Sequence, residues 1–227
     1  MRQAGRYSPR IHRHADTGHR RHRPGSFGAE AFDGPTVLVA HSRGGITTTA
    51  VADARPDLVD RIVYVSAWCP VDLEVGGYYA EPEMADVDAG ALTAAPAGNP
   101  AELGLLHFNF RTADPTAPAA LEQAFAADLT DGEFRTFLST FQPDENLDTG
   151  TSADRAQATT WGRIPRTYVR PAADAGVPPA VQDRMIREAD ALTPGNPFDV
   201  RTLDGSHLRW LVHPKPAAEL LAGLSGF

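Results

Sequence analysis

Several residue types that define whole classes of protein are scarce in this sequence. The 227 residues include one cysteine, Cys69, which excludes an internal disulfide framework and is compatible with a reducing compartment. Its surroundings, YVSAWCP, are strand-like and apolar, so we expect a buried, inert thiol. No run of 18 apolar residues is present, so the sequence offers no candidate membrane span. These features predict a cytoplasmic, soluble protein without a membrane partner.

Positive charge is scarce everywhere except at the start of the chain. Residues 1–27 hold seven arginines and a single acid, a net charge of +6, whereas the remainder carries −14. An acidic body lacks the positive face that phosphate binding requires. Nucleic acid is therefore excluded as the main partner.

The basic leader also lacks the patterning of the residues that follow. It has few aliphatic residues and no apolar periodicity, so we expect residues 1–28 to be disordered. No apolar segment follows Arg20-Arg21, which argues against an export signal. Nothing fixes the geometry of its four histidines, so we predict no metal site there. The abrupt change in composition indicates that this leader arose from a reading-frame error or a misplaced start. The domain proper is expected to span residues 29–227.

Beyond the leader, short apolar strands alternate with helical segments. Val37–Ala40 is a β-branched run between Gly34-Pro35 and Gly44-Gly45, as expected of a buried parallel strand. A helical pattern follows and ends near Pro56, and RIVYVSAW predicts the next strand. IPRTYVR and FDVRTLD are the third and fourth strands, each followed by a segment in which proline opens a helix. The order predicts an α/β fold with a mainly parallel sheet.

The segment from about residue 70 to 155 has a different composition. It is rich in alanine, proline, aspartate and glycine, with short helical patches such as PAALEQAFAADL and DGEFRTFLSTF. We interpret it as a helical lid inserted into the α/β domain.

Ser42 directly follows the first strand and opens the first helix. Small residues at positions 40, 44 and 45 permit the sharp turn that raises a serine side chain above a sheet. The helix start then aims backbone N–H groups, led by that of Arg43, at a developing oxyanion. The local sequence, A-H-S-R-G, has alanine where G-x-S-x-G has glycine. The alternative is a serine that only caps the helix.

A serine nucleophile needs a base, for which four histidines outside the leader compete. His207 follows the fourth strand, in DGSHLRW, and so lies at the same sheet edge as Ser42. His41 adjoins the serine, points away from it and is expected to pack or support. His107 falls in the predicted lid, and His213 lies at the surface or caps the last helix.

The base in turn needs a carboxylate to fix its tautomer. Asp174 follows the third strand at the same edge and is the favoured candidate. Asp204 is the alternative, but it lies only three positions before His207, which would require a sharp turn. Ser42, Asp174 and His207 occur in the chain order expected of an α/β hydrolase.

The segments VLVAHSRGG, RIVYVSAWCP, IPRTYVR and LDGSHLRWLVHPKPAAELL together resemble the α/β-hydrolase superfamily over residues 29–227. The resemblance is to its small esterase branch, which includes plant methylesterases and hydroxynitrile lyases. It implies a serine hydrolase that cleaves a small-molecule carboxylic ester through an acyl-enzyme. Ser42 would be the nucleophile, Asp174 the orienting acid, His207 the base and the Arg43 N–H an oxyanion donor. It implies no metal and no organic cofactor.

The sequence departs from the family before the sharp turn at Ser42. Family members have two further strands there, and an "HG"-type loop that supplies a second oxyanion N–H. We predict that this sequence lacks the two strands and the loop. One lost donor costs about 10²–10³-fold in turnover. Val37–Ala40 would become a bare sheet edge that favours self-association.

Two alternative functions stay open. One is a non-catalytic truncated hydrolase, and the other is a hydroxynitrile lyase-like enzyme, whose pocket lysine could only be Lys215.

Overall fold

The structure is a computed structural model that describes residues 34–87, 97–112, 116–146 and 155–224. Within these ranges the chain forms six strands and eight α-helices. The strands are β1 (Val37–Ser42), β2 (Arg61–Ala67), β3 (Leu105–His107), β4 (Asp144–Asn146), β5 (Arg166–Pro171) and β6 (Asp199–Leu203). The helices are α1 (Gly44–Ala54), α2 (Val75–Tyr78), α3 (Pro100–Leu103), α4 (Thr116–Phe125), α5 (Asp131–Leu138), α6 (Pro179–Leu192), α7 (Arg209–Val212) and α8 (Lys215–Leu224).

Four of the strands form one parallel sheet in the order β1-β2-β5-β6. Their β-branched and aromatic sequences suit strands that helices cover on both faces. In β2 every residue after Arg61 is buried. The α/β class and the mainly parallel sheet expected from the sequence are confirmed. All four strands run in one direction, so their carboxyl ends meet at a single edge.

Two apolar cores lie on opposite faces of this sheet. The larger contains Tyr64, Tyr168 and Trp161, together with Met185 and Ile186 from α6. The smaller is built on Val63, Val65 and Val169, against which α8 packs. Cys69 is fully buried, as expected, and burial raises the pKa of its thiol to about 12.

The inserted segment between β2 and β5 contains α2 to α5, which confirms the helical insertion. It also contains a two-stranded antiparallel sheet, β3-β4, that the sequence did not predict. Its own apolar cluster includes Leu121, Phe134 and Leu138, and extends to Leu208 in the loop after β6. The insertion is therefore packed directly onto one of the sheet's terminal loops.

β1 is an outer strand of the described sheet, and the Val39 side chain is 47% exposed. The predicted lack of earlier strands and of an "HG"-type loop concerns residues 1–33, as does the predicted leader 1–28. Those residues lie outside the described ranges, so these predictions, and self-association through the edge, remain predictions. No helix in the described ranges has both the length and the apolar character needed to cross a bilayer.

Candidate active site

Ser42 ends β1 in a conformation that L-residues rarely adopt. Its φ is +52°, in the left-handed region, and Arg43 returns at once to right-handed helical angles. Such strain persists only where the surroundings hold it, and it is typical of functional turns. The capping position of α1 is occupied by Arg43, and no side-chain capping bond is formed there. This tight strand-to-helix turn, here called the elbow, does not have the geometry of a serine that caps a helix.

A glycine makes this turn sterically feasible. A Cβ placed on Gly45 would lie 2.0 Å from the carbonyl oxygen of Trp68, which follows β2. The Trp68 N–H donates to the Ser42 carbonyl at 3.0 Å, so the chain after β2 lies directly against the elbow. Only glycine permits this close approach of helix and strand.

Asp174 lies in the turn after β5 and is buried. Its Oδ1 accepts the backbone N–H groups of Gly176 at 2.9 Å and Val177 at 2.8 Å. These two bonds leave Oδ2 directed at His207, whose Nδ1 lies 2.9 Å away. Asp204, the alternative carboxylate, is exposed to solvent. The structure therefore pairs His207 with Asp174.

His207 is buried in the loop after β6, with 3% of its surface exposed. Because Nδ1 donates to an ionised carboxylate, Nε2 is the basic nitrogen of the neutral ring. The ring lies against Phe125 from the insertion, with centroids 5.2 Å apart. This is the tautomer that a general base requires.

The remaining histidines occupy different surroundings. His41 packs on His207, with ring centroids 4.5 Å apart, and its Nε2 lies 3.1 Å from the His207 carbonyl oxygen. Removal from water, and then the proximity of His207, hold the pKa of His41 well below 6.5. His107, in β3, contacts Asp144 at 2.5 Å, and His213 is exposed. His41 is thus a neutral neighbour of the proposed base.

Ser66 belongs to the same cluster, although no motif in the sequence identified it. Its Oγ lies 2.8 Å from His207 Nδ1 and also hydrogen-bonds Asp174 Oδ2. The feature that could have identified it is its hydroxyl at the carboxyl end of an otherwise apolar strand, YVSAW, which neighbours the strand that ends in Ser42.

Ser42 and His207 line the same cavity of about 340 Å³. Arg43 also lines it, and its guanidinium lies 4.0 Å from Glu145 of β4. The insertion supplies most of the apolar wall, through the side chains of Phe108, Phe110, Phe134, Leu138 and Phe141. Ser42 and His207 therefore border a largely apolar chamber that suits an uncharged organic group.

Lys215, on which the lyase alternative depends, lies elsewhere. It begins α8, its side chain is 86% exposed, and it is 4.0 Å from Glu219 on the same helix. It is not among the residues that line the described cavity. The structure thus gives this alternative no pocket lysine.

A parallel sheet with a strained serine at a strand-to-helix turn, and a buried His–Asp pair at nearby strand ends, defines an α/β hydrolase. The model of the Alpha/beta hydrolase family matches residues 4–222, and the chain belongs to this family. The matched range begins within the basic leader. No curated protein matches the chain in sequence.

Solved structures of esterase-type hydrolases share the fold. A pyrethroid hydrolase from Sphingobium faniae has a TM-score of 0.67 at 21% identity, over 88% of this chain and 74% of its own. Polyneuridine aldehyde esterase has a TM-score of 0.67 at 17% identity, over 89% and 77%. A methylesterase from Arabidopsis has a TM-score of 0.60 at 18% identity, over 90% and 76%. The likeness confirms the α/β-hydrolase fold.

Proposed function

We propose that the chain is a carboxylic-ester hydrolase that works through an acyl-enzyme on Ser42. The observation that carries the proposal is the buried His207–Asp174 pair, whose histidine lines the same cavity as Ser42. The esterase and hydrolase names of the structural neighbours agree with this chemistry.

In the proposed reaction, His207 Nε2 takes the proton of the Ser42 hydroxyl as its oxygen attacks the ester carbonyl. The backbone N–H of Arg43 donates to the resulting oxyanion, and Asp174 stabilises the imidazolium. Collapse of the intermediate breaks the C–O bond, and His207 returns the proton to the departing alcohol. Water then attacks the acyl-enzyme by the same steps, which releases the acid and frees Ser42.

The apolar cavity favours esters with an uncharged, bulky acyl or alcohol part. Aromatic and aliphatic side chains from the insertion form most of its wall, and Arg43, one of the charged residues that line it, lies 4.0 Å from Glu145. We therefore expect the ester to be a small neutral molecule, and we expect turnover to rise with the size of its apolar group until the chamber is filled.

The test is hydrolysis of a p-nitrophenyl ester series by the full chain, Ser42→Ala and Ser139→Ala. Ser139 is an exposed serine of the insertion and serves as the control. Loss of the nucleophile should reduce turnover by at least about 10³-fold, and the control should match the parent. A folded parent protein without turnover above buffer, and without labelling of Ser42 by an alkyl fluorophosphonate, would contradict the proposal and favour a non-catalytic hydrolase.

A further inference from the structure

Ser66 occupies an irregularity in the sheet. Along the β1–β2 ladder His41 pairs with Val65, but Ser42 pairs with Ala67, so Ser66 is the extra residue of a bulge. Its φ is +45°, which makes it the second non-glycine residue at positive φ among the described residues, after Ser42. Bulges beside active sites turn a side chain out of its regular alternation. Here the bulge directs the Ser66 hydroxyl at the His–Asp pair.

The hydroxyl is fully buried and contacts both members of that pair. Its Oγ lies 2.8 Å from His207 Nδ1, and it hydrogen-bonds Asp174 Oδ2. An ionised carboxylate can only accept, so the single proton of Ser66 goes to Asp174. A lone pair of the same oxygen then faces the Nδ1–H of His207. That N–H is therefore shared between Ser66 Oγ and Asp174 Oδ2.

We propose that Ser66 is a positioning residue that makes the triad a four-residue unit, an inference that rests on the proposed function. It closes a triangle with Asp174 and His207, which fixes the rotation of the imidazole and the tautomer with a basic Nε2. It also supplies a second acceptor for Nδ1–H when His207 becomes an imidazolium during attack.

A purely structural role is the competing explanation, because any buried hydroxyl needs a partner. That explanation leaves the bulge and the left-handed backbone without a cause. Alanine could fill the same space in a regular strand without either distortion. The bulge and the left-handed backbone occur at the residue whose oxygen reaches both Asp174 and His207. We therefore attribute both distortions to contact with that pair.

The test compares Ser66→Ala and Ser66→Gly with Thr49→Val. Thr49 is an equally buried hydroxyl near the same sheet, bonded to Tyr64 at 2.7 Å, and it does not contact the pair. Both Ser66 variants should lower kcat on a p-nitrophenyl ester by about 10- to 100-fold, with KM within about twofold. Glycine relieves the strain of the positive φ, whereas alanine keeps it as serine does, so equal losses assign the effect to the hydroxyl. Thr49→Val should lose stability and keep kcat.

A readout without substrate separates this inference from the proposed function. The low-field proton NMR resonance of His207 Nδ1–H, assigned by its absence in His207→Gln, should shift in both Ser66 variants and stay in place in Thr49→Val. If the parent protein proves inactive and the resonance still shifts, the proposed function fails and the coupling stands. If the Ser66 variants lose only stability, with the resonance and kcat unchanged, Ser66 is structural and the inference is overturned.

Discussion

Asp128, in the insertion, binds both hydrogen-bond donors of Ser206, the residue that precedes the proposed base. Its Oδ2 accepts the Ser206 backbone N–H at 3.0 Å and its Oδ1 accepts the hydroxyl at 2.5 Å. On the other side of His207, the Leu208 N–H donates to the Phe125 carbonyl at 2.9 Å. The insertion therefore holds the base-bearing loop from both sides, in addition to lining the cavity.

These hydrogen bonds, here called the clamp, predict that Asp128 positions His207 for catalysis without touching a reacting atom. In Asp128→Asn one oxygen becomes an amide nitrogen, which cannot accept from Ser206, so the His207 loop should loosen. We expect kcat to fall about tenfold or more, because small misplacements of a base are costly. Asp204→Asn removes one carboxylate charge from the His207 loop itself, at an exposed position, and is the control. Steady-state kinetics of the two variants would contradict the clamp if they agreed.

The clamp also illustrates which residues of the site could be predicted from the sequence and which could not. Asp174 and His207 were found because parallel strands bring their carboxyl ends to one edge, and each residue follows a strand within a few positions. Asp128 lies about 80 residues from Ser206, and no local pattern links the two. Such long-range contacts depend on how the insertion docks.

Other differences have local causes. β3 and β4 have only three residues each, and the sequence of β4, Asp144–Asn146, has low strand propensity, so only their mutual pairing forms them. Ser66 was missed because regular alternation says nothing of a bulge, which exists only where two strands meet. By contrast, β1, β2 and β5 could be predicted from their apolar sequences alone.

The turn at Ser42 predicts that alanine substitutions at two adjacent glycines, Gly44 and Gly45, have very different effects on stability. A Cβ at Gly45 would meet the Trp68 carbonyl oxygen at 2.0 Å, and a backbone atom cannot swing aside, whereas a Cβ at Gly44 meets nothing within 4 Å. Gly45→Ala should therefore destabilise the fold by about 3 kcal/mol or more, and Gly44→Ala by no more than about 1 kcal/mol in either direction. Urea unfolding of both variants measures this. Equal midpoints would show that helix α1 can move away from β2.

His41 predicts a pH dependence of stability. Its pKa is lowered in the folded protein, first by removal from water and then by the neighbouring His207. In the unfolded chain the ring takes up a proton near its ordinary value of 6.5, so on acidification the unfolded state binds more protons than the folded state. Stability contributed by neutral His41 is therefore complete above about pH 7 and declines as the pH falls below 6.5.

Comparison with His41→Gln isolates this contribution, because glutamine cannot titrate and its amide can still donate to the His207 carbonyl. The other ionisable groups are shared by both proteins, so the difference between their unfolding free energies reports on His41 alone, apart from any change in His207. We expect the parent protein to lose stability relative to the variant as the pH is lowered from 7.5 to 5, in urea titrations at fixed ionic strength. Parallel curves over that range would mean that the folded protein accommodates a protonated His41 beside His207, and that the imidazole of His41 is not held neutral by its surroundings.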